Sequence, residues 1–303
     1  MSQAEAVQED KPRERPRVEA GWYKDLPNDD YHGSLGYSSS QLKKLIKQTP
    51  AHLKHSFSES NDPTAAMQLG TAVHSMVLEP ENFDNDVAVM PVLNLRTNAG
   101  KEEKVEFIAA NKGKAIITEA DLDKVNAMAA SVRAHPLAGI LIQDVVVESS
   151  VYWWYRTMDP DDDTKYKAML KVRPDAICRA YPALVDLKTT DDGSFTGFMK
   201  TIQNLYYHVS AAMYLEGVNQ CKPLLAELGH FAYTKFVFVV VENTAPFLTS
   251  VYELSPDDLE LGKVHYRRAL MKLRDGQEND WPGFPEDIRM TELPGWASRL
   301  HTV

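Results

Sequence analysis

The chain of 303 residues has little cysteine, no long apolar run and no excess of positive charge, and each shortage closes off a class of protein. Its two cysteines, Cys178 and Cys221, are too few for a disulfide framework or a thiolate cluster. Stability must come from a packed core, and a reducing cytoplasm is the expected compartment. No apolar stretch approaches the length that spans a bilayer, so no membrane partner is expected. The opening MSQAEAVQEDKPRERPRVEA is polar and lacks the apolar segment of a signal peptide. Charged and proline-bearing, residues 1–20 are expected to form a disordered tail. The net charge of −10 argues against coating nucleic acid by bulk charge. A local basic groove stays open, and acids that hold metal ions add to the same negative count.

What is present is ordinary for a globular protein: 44% hydrophobic and 25% charged residues. No shift of composition marks a second domain and no segment repeats. Residues 21–303 are therefore expected as a single domain, with a helical N-terminal part over 38–142, an α/β core over 145–275 and a loop-like C-terminal tail.

Along the chain, Trp22, Tyr23, Leu26 and Tyr31 open the ordered part. Ser38–Ser40 cap a helix whose stripe is Leu42, Leu45 and Ile46, and Pro50 starts a second short helix. The span Tyr31–Ser58 has no acid but carries Lys43, Lys44, Lys47 and Lys54. Two readings stand: a solvated helical face, or a patch that contacts phosphates. Thr64–Leu78 is expected as a helix started by Asp62 and Pro63, with Leu69, Val73, Met76 and Val77 on its apolar face. Ala66 and Gly70 would let another backbone approach, and His74 follows one turn after Gly70. Residues 85–114 read as irregular with a short helix at Glu102–Ala110, and Thr118–Ala134 as a helix broken by His135-Pro136.

Val145–Thr157 reads as one strand and Asp159–Asp163 as an acidic turn. After Asp191–Ser194 comes one long helix with the stripe Phe195, Phe198, Met199, Ile202, Leu205, Val209 and Met213. Tyr207, Ala211 and Tyr214 lie on another face. Pro223 to Gly229 is a connection, Phe231–Glu242 a central strand and Leu248–Leu254 its antiparallel partner. A last helix runs from Ser255 to Leu273 with Leu259, Val264, Ala269 and Leu273 inward. Trp281, Phe284 and Trp296 pin the tail. The fold class that follows is α/β, a mixed central sheet flanked by helices.

The chemistry concentrates in Tyr166–Thr190. It reads as two strands, Lys167–Arg179 and Ala183–Thr189, joined by a turn at Ala180, Tyr181 and Pro182. Asp175 falls on the first strand. Asp186 and Lys188, two residues apart on the second, share a face with Leu184, while Val185 and Leu187 take the other. Two carboxylates from paired strands form a hard, oxygen-rich site that suits Mg2+ or Mn2+. A lysine beside it can orient a water or stabilise charge on a phosphate. The structural alternative is an ion pair at a strand end.

Taken with their order, four blocks resemble the RecE (exonuclease VIII) branch of the PD-(D/E)xK nucleases, which is similar to the RecB nuclease domain and lambda exonuclease. They are Gly70–His74 with Val77–Glu81, Arg173-Pro174-Asp175, Val185–Thr190, and Tyr207-His208-Val209 through Tyr214. The resemblance implies that His74, Asp175, Asp186 and the carbonyl of Leu187 hold Mg2+, with Mn2+ substituting. It implies that Lys188 acts on the water or the transition state, and that Tyr214 is the tyrosine of a Q-x-x-x-Y helix motif, with Ser210 in place of the glutamine. Lys43, Lys44, Lys47 and Arg173 are the candidate DNA contacts. A branch carrying an iron–sulfur cluster needs four cysteines and is excluded. The resemblance further implies a 5′→3′ exonuclease acting on double-stranded DNA ends to leave 3′ single strands for recombination. A ring-shaped homo-oligomer, a trimer or tetramer, and a single-strand annealing protein as partner go with it. Competing readings are an endonuclease of the same fold, a catalytically inert DNA-binding protein, and an α/β binding module with a surface ion pair.

Overall fold

The computed structural model describes residues 17–59, 62–156 and 166–293. The expectations for residues 1–16, for Asp159–Asp163 and for Trp296 lie outside them. In chain order the elements are β1 (Gly21–Tyr23), α1 (Asn28–Gly33), α2 (Ser39–Lys47), α3 (Pro50–Ser56), α4 (Ala65–Leu78), α5 (Phe83–Asp86), β2 (Val87–Met90), α6 (Asn98–Ala110), β3 (Ala115–Thr118), α7 (Glu119–Ala134) and α8 (Pro136–Leu141). There follow β4 (Val145–Val147), β5 (Ser150–Arg156), β6 (Lys167–Val172), β7 (Ala176–Cys178), β8 (Ala183–Thr190), α9 (Phe195–Leu205), α10 (Tyr207–Gln220), α11 (Lys222–Leu228), β9 (Lys235–Glu242), β10 (Thr249–Glu253) and α12 (Pro256–Glu278).

The frame is a five-stranded mixed sheet in the order β10-β9-β8-β7-β4. β8 and β9 run parallel over their full length, while β7, β4 and β10 pair antiparallel. β9 is a nearly continuous apolar run, and β8 starts as one, because both faces of this sheet are covered. Period-two alternation then divides them between two cores. Leu184, Phe236, Phe238 and Val240 pack with α2, α9, α10 and α12. Val185, Leu187, Val237, Val239 and Val241 pack with α4 and α7. A second sheet, β1-β5-β6, is antiparallel throughout, and β2 and β3 form a parallel pair. The α/β class with a mixed sheet flanked by helices is thus observed.

Several elements differ from the sequence reading. The strand expected over Lys167–Arg179 is two: β6 lies in the three-stranded sheet, β7 in the five-stranded one. The break falls at Arg173–Asp175, where Pro174 has no N–H for a ladder and restricts Arg173 before it. Val145–Thr157 breaks likewise, at Glu148, whose φ of 44° no strand tolerates. The long helix after Ser194 is α9 and α10, separated by Tyr206 in the left-handed region (φ 54°, ψ 42°). The turn restarts the helix rather than ending it, so the apolar period survives the break and hides it.

The central place in the sheet belongs to β8, with β9 beside it. β2 and α11 arise where the sequence read irregular chain, and β3 follows directly after it and takes in Thr118, which the sequence read as helix. α4 is capped by the Thr64 hydroxyl, which accepts from the Met67 N–H, not by Asp62. α12 continues to Glu278, and Val264 faces solvent. In the tail, Trp281 meets Phe57 edge-on and Phe284 meets His52.

Candidate active site

The side chains singled out from the sequence meet at the C-terminal half of β8. Asp175 sits in the bend just before β7, and its Oδ2 accepts the Leu187 N–H at 2.8 Å. That bond fixes the register of the bend against β8. Asp186 and Lys188 project from one face of β8, and Lys188 Nζ lies 2.6 Å from Asp186 Oδ2. The same ammonium is 3.3 Å from the Leu187 carbonyl oxygen and 3.8 Å from Asp175 Oδ2. His74 reaches the group from α4: its Nε2 is 2.7 Å from the Leu187 oxygen and its Nδ1 3.6 Å from Asp175 Oδ2. A carbonyl can only accept, so Nε2 carries the proton in this arrangement.

His74 thus stands with the carboxylates, as the resemblance implied, but Gly70 is not what brings α4 close. A Cβ at Gly70 would lie 3.8 Å from Thr189 Oγ1, an ordinary contact.

Burial pushes the carboxyl of Asp186 up, to about 6; the Lys188 charge opposes this and Asp175 adds to it. For Lys188, burial disfavours the charge, but Asp186 and then Asp175 outweigh it and hold the ammonium well above its usual range. Tyr214, on α10, is raised by burial and then by Asp186 and Asp175, so its phenol stays protonated beside the acids. The Ser39 side chain works against that rise. Ser210 donates to Ser39 Oγ at 3.3 Å. Where the resembling motif has glutamine, this chain ties α10 to α2.

Among the described residues no group of three or more His, Cys, Asp or Glu is gathered closely enough to hold a metal ion as placed. The donors instead surround an ammonium: Lys188 Nζ stands as the cation among two carboxylates and a carbonyl. Such oxygen-rich surroundings with one imidazole at the edge fit a small hard divalent ion.

The proposed DNA contacts do not form one set. Lys43 extends from α2 over the ring of Tyr207, 5.5 Å from its centroid. Lys47 lies 5.1 Å from the centroid of Tyr206 and donates to the Asn204 carbonyl at 2.9 Å. Lys44 is half-buried on the same helix. Arg173 turns away: its side chain is only 9% exposed. Its Nε donates to Ser150 Oγ, its Nη2 to the Leu26 carbonyl and its Nη1 to Asn28 Oδ1, and the guanidinium covers the Tyr31 ring. Its work is to hold the strand break together, and it is not retained as a DNA contact.

Two residues were given no place in the site by the sequence reading. Tyr207 lies 5.4 Å from Lys188 Nζ, measured to the ring centroid. Glu148 donates its N–H to the Asp175 carbonyl at 3.1 Å, and its carboxyl is raised by burial and then by Asp175. A lone acid within VVVESSVYWW was the available signal, because a charge inside an apolar strand needs a reason.

The fold is that of the PD-(D/E)xK nuclease class. The family described as a PDDEXK-like domain of unknown function (DUF3799) matches residues 38–292, and the chain belongs to that family. A crystal structure from Eubacterium rectale named "Putative exonuclease" has the same fold, with a TM-score of 0.59 and 14% identity over 92% of this chain and 98% of that one. The structure of SSO0001 aligns with 76% of this chain and 84% of its own at 14% identity, and its TM-score of 0.28 is too low to carry an argument. No curated protein matches the chain.

Proposed function

We propose that the chain is a divalent-metal-dependent exonuclease of the RecE type, which hydrolyses phosphodiester bonds from the ends of linear double-stranded DNA. The observation that carries this reading is the packing of Lys188 Nζ among Asp186, Asp175 and the Leu187 carbonyl, with His74 on the same carbonyl. An ion pair that only closed a strand end would need one acid; here two acids, a carbonyl and an imidazole converge.

A divalent ion bound at these oxygens would neutralise phosphate charge and acidify a water. Asp175, oriented by the Leu187 N–H, and Asp186 would hold it, with Leu187 O and His74 beside them. Lys188 keeps its charge throughout and stands where negative charge develops on the phosphate. Tyr214 keeps its proton and can donate. The family supports a nuclease, and the name of the Eubacterium rectale protein favours action at ends. The 5′→3′ direction, a ring-shaped homo-oligomer, a single-strand annealing partner and a cytoplasmic location belong to the same proposal. Among the described residues no helix is long and apolar enough to cross a membrane.

The test is digestion of linear duplex and of a covalently closed circle, with Mg2+, with Ca2+ and with chelator. Loss of the linear form alone, only in Mg2+, is the expected result, and end-labelled strands report the direction. Asp186→Asn should reduce the rate at least about 100-fold, as loss of a metal-site group does, while DNA binding in Ca2+ persists. Cleavage of the circle would make the enzyme an endonuclease, and wild-type-like cleavage by the variant would remove the metal-site reading.

A further inference from the structure

Two ammonium groups flank the ring of Tyr207: Lys188 from β8 and Lys43 from α2, 5.4 and 5.5 Å from its centroid. They are not equivalent. Lys188 is paired with Asp186 at 2.6 Å. Lys43 is half-buried, and among the described residues it has no hydrogen bond and no ion pair. Holding a charge partly out of water without an acceptor is costly, and an incoming anion would relieve that cost.

The placement is fixed by the fold. The Ser38–Gln41 capping box starts α2, and Leu42 and Leu45 are completely buried. Ser39, one turn before Lys43 and so on the same side of the helix, is tied to Ser210 of α10. Lys43 therefore faces the start of α10 and the end of β8. The groups that act on it are Asp186 and Lys188 of β8, His208 and Tyr207 of α10, and Lys47 of its own helix. Burial lowers its pKa to about 8; Asp186 works the other way, while Lys188 and Lys47 add to the lowering. With Lys188 committed to a carboxylate, Lys43 is an uncommitted positive charge within the field of Asp186, an acid that repels phosphate.

From this geometry we infer that Lys43 binds a non-bridging oxygen of the scissile phosphodiester and draws it toward the Asp186–Lys188 pair, a different duty from that of Lys44 and Lys47 along the DNA path. The inference rests on the nuclease reading and deepens it. Its mark is an effect on the chemical step that remains when the enzyme is saturated with DNA.

The experiment compares wild type, Lys43→Met, Lys43→Arg, Lys44→Ala/Lys47→Ala and Asp186→Asn. Single-turnover cleavage of linear duplex is measured at saturating enzyme in Mg2+, and DNA affinity against salt in Ca2+. Lys43→Met should lose about 100-fold in saturated rate, the scale for removing one charge-stabilising donor, beyond whatever it loses in affinity and salt slope. Lys43→Arg should recover most of the rate. Wild type should slow on the alkaline side, where the ammonium, lowered by burial, loses its proton, and Lys43→Arg should not. If Lys43→Met keeps the saturated rate, the inference is overturned, whether affinity falls or not. It is equally overturned if Lys43→Arg is as slow as Lys43→Met while both keep wild-type thermal stability. If Asp186→Asn cleaves as wild type does, the nuclease site itself is misplaced and the role of Lys43 falls with it.

Discussion

Lys188→Met in the metal-free protein separates an ammonium that stands in for a cation from one that decorates a strand. In wild type, Nζ lies 2.6 Å from Asp186 Oδ2 and 3.8 Å from Asp175 Oδ2, with side-chain exposures of 22%, 10% and 17% for the lysine and the two acids. Removing one partner of a pair this enclosed leaves carboxylates uncompensated, which costs about 3–5 kcal/mol. Protonation caps the loss. Asp186 can take up a proton, and forcing a carboxyl from about 3.9 to remain neutral at pH 7 costs at most about 4 kcal/mol. The expected destabilisation at pH 7 is therefore about 3 kcal/mol, or a fall in Tm of roughly 6 °C for a chain of this size.

The pH dependence has a definite sign. Asp186 is raised in the folded state, so its ionisation weighs against folding at neutral pH, and that burden lifts as pH falls through about 6. At pH 5 the cap shrinks to roughly 1.5 kcal/mol, and the gap between variant and wild type should narrow accordingly. Thermal unfolding in chelator at pH 7 and pH 5, then in Mg2+, is the assay. Mg2+ should raise the variant more than wild type, since the donors it joins have lost their resident cation. A variant as stable as wild type in chelator, or equal stabilisation of both by Mg2+, would refute the reasoning.

His74→Ala should lower Mg2+-supported cleavage strongly while high Mn2+ restores part of it through the remaining carboxylates; titrating both metals checks this, and unchanged Mg2+ dependence would leave His74 a packing residue. Lys44→Ala/Lys47→Ala should flatten the plot of log affinity against log salt by up to about one unit per lysine, and an unchanged slope would return them to solvent. Gly262→Ala should destabilise by about 1–3 kcal/mol, because a Cβ there would run into the His208 carbonyl where α12 crosses α10; denaturant midpoints measure it, and a neutral result would show that the two helices can part cheaply.

Much of this was legible in the residues. Alternation along β8 put Asp186 and Lys188 together and Leu187 behind them, and period two needs nothing beyond the strand itself. The caps at Ser38 and Ser255 likewise announced their helices. Tyr206 gave no sign, because a left-handed residue that is neither glycine nor asparagine is held there by its surroundings alone. β2 and β3, four residues each, are too short to show a period and exist only through each other. Pro174 was the missed signal: the lack of an N–H that ended a strand at Pro182 also applies eight positions earlier.

The two strand breaks lie side by side, and the site depends on that. Val147 pairs with Ala176 in one sheet, and Val151 pairs with Val172 in the other. Both chains of the ribbon therefore leave one sheet and enter the next over the same short span. Within it, Glu148 donates to the Asp175 carbonyl and Arg173 ties Ser150 to Leu26. A residue kept in a regular ladder spends its N–H and carbonyl on neighbouring strands and points its side chain at one face. Freed from the ladder at the crossing, Asp175 instead turns its carboxylate onto the Leu187 N–H. That brings it beside Lys188 and within reach of His74, which approaches from the α4 side of the sheet. An unbroken strand over Lys167–Arg179 would have left Asp175 on whichever face its parity chose. The bend lets one carboxylate serve a lysine from one face of β8 and a histidine from the other.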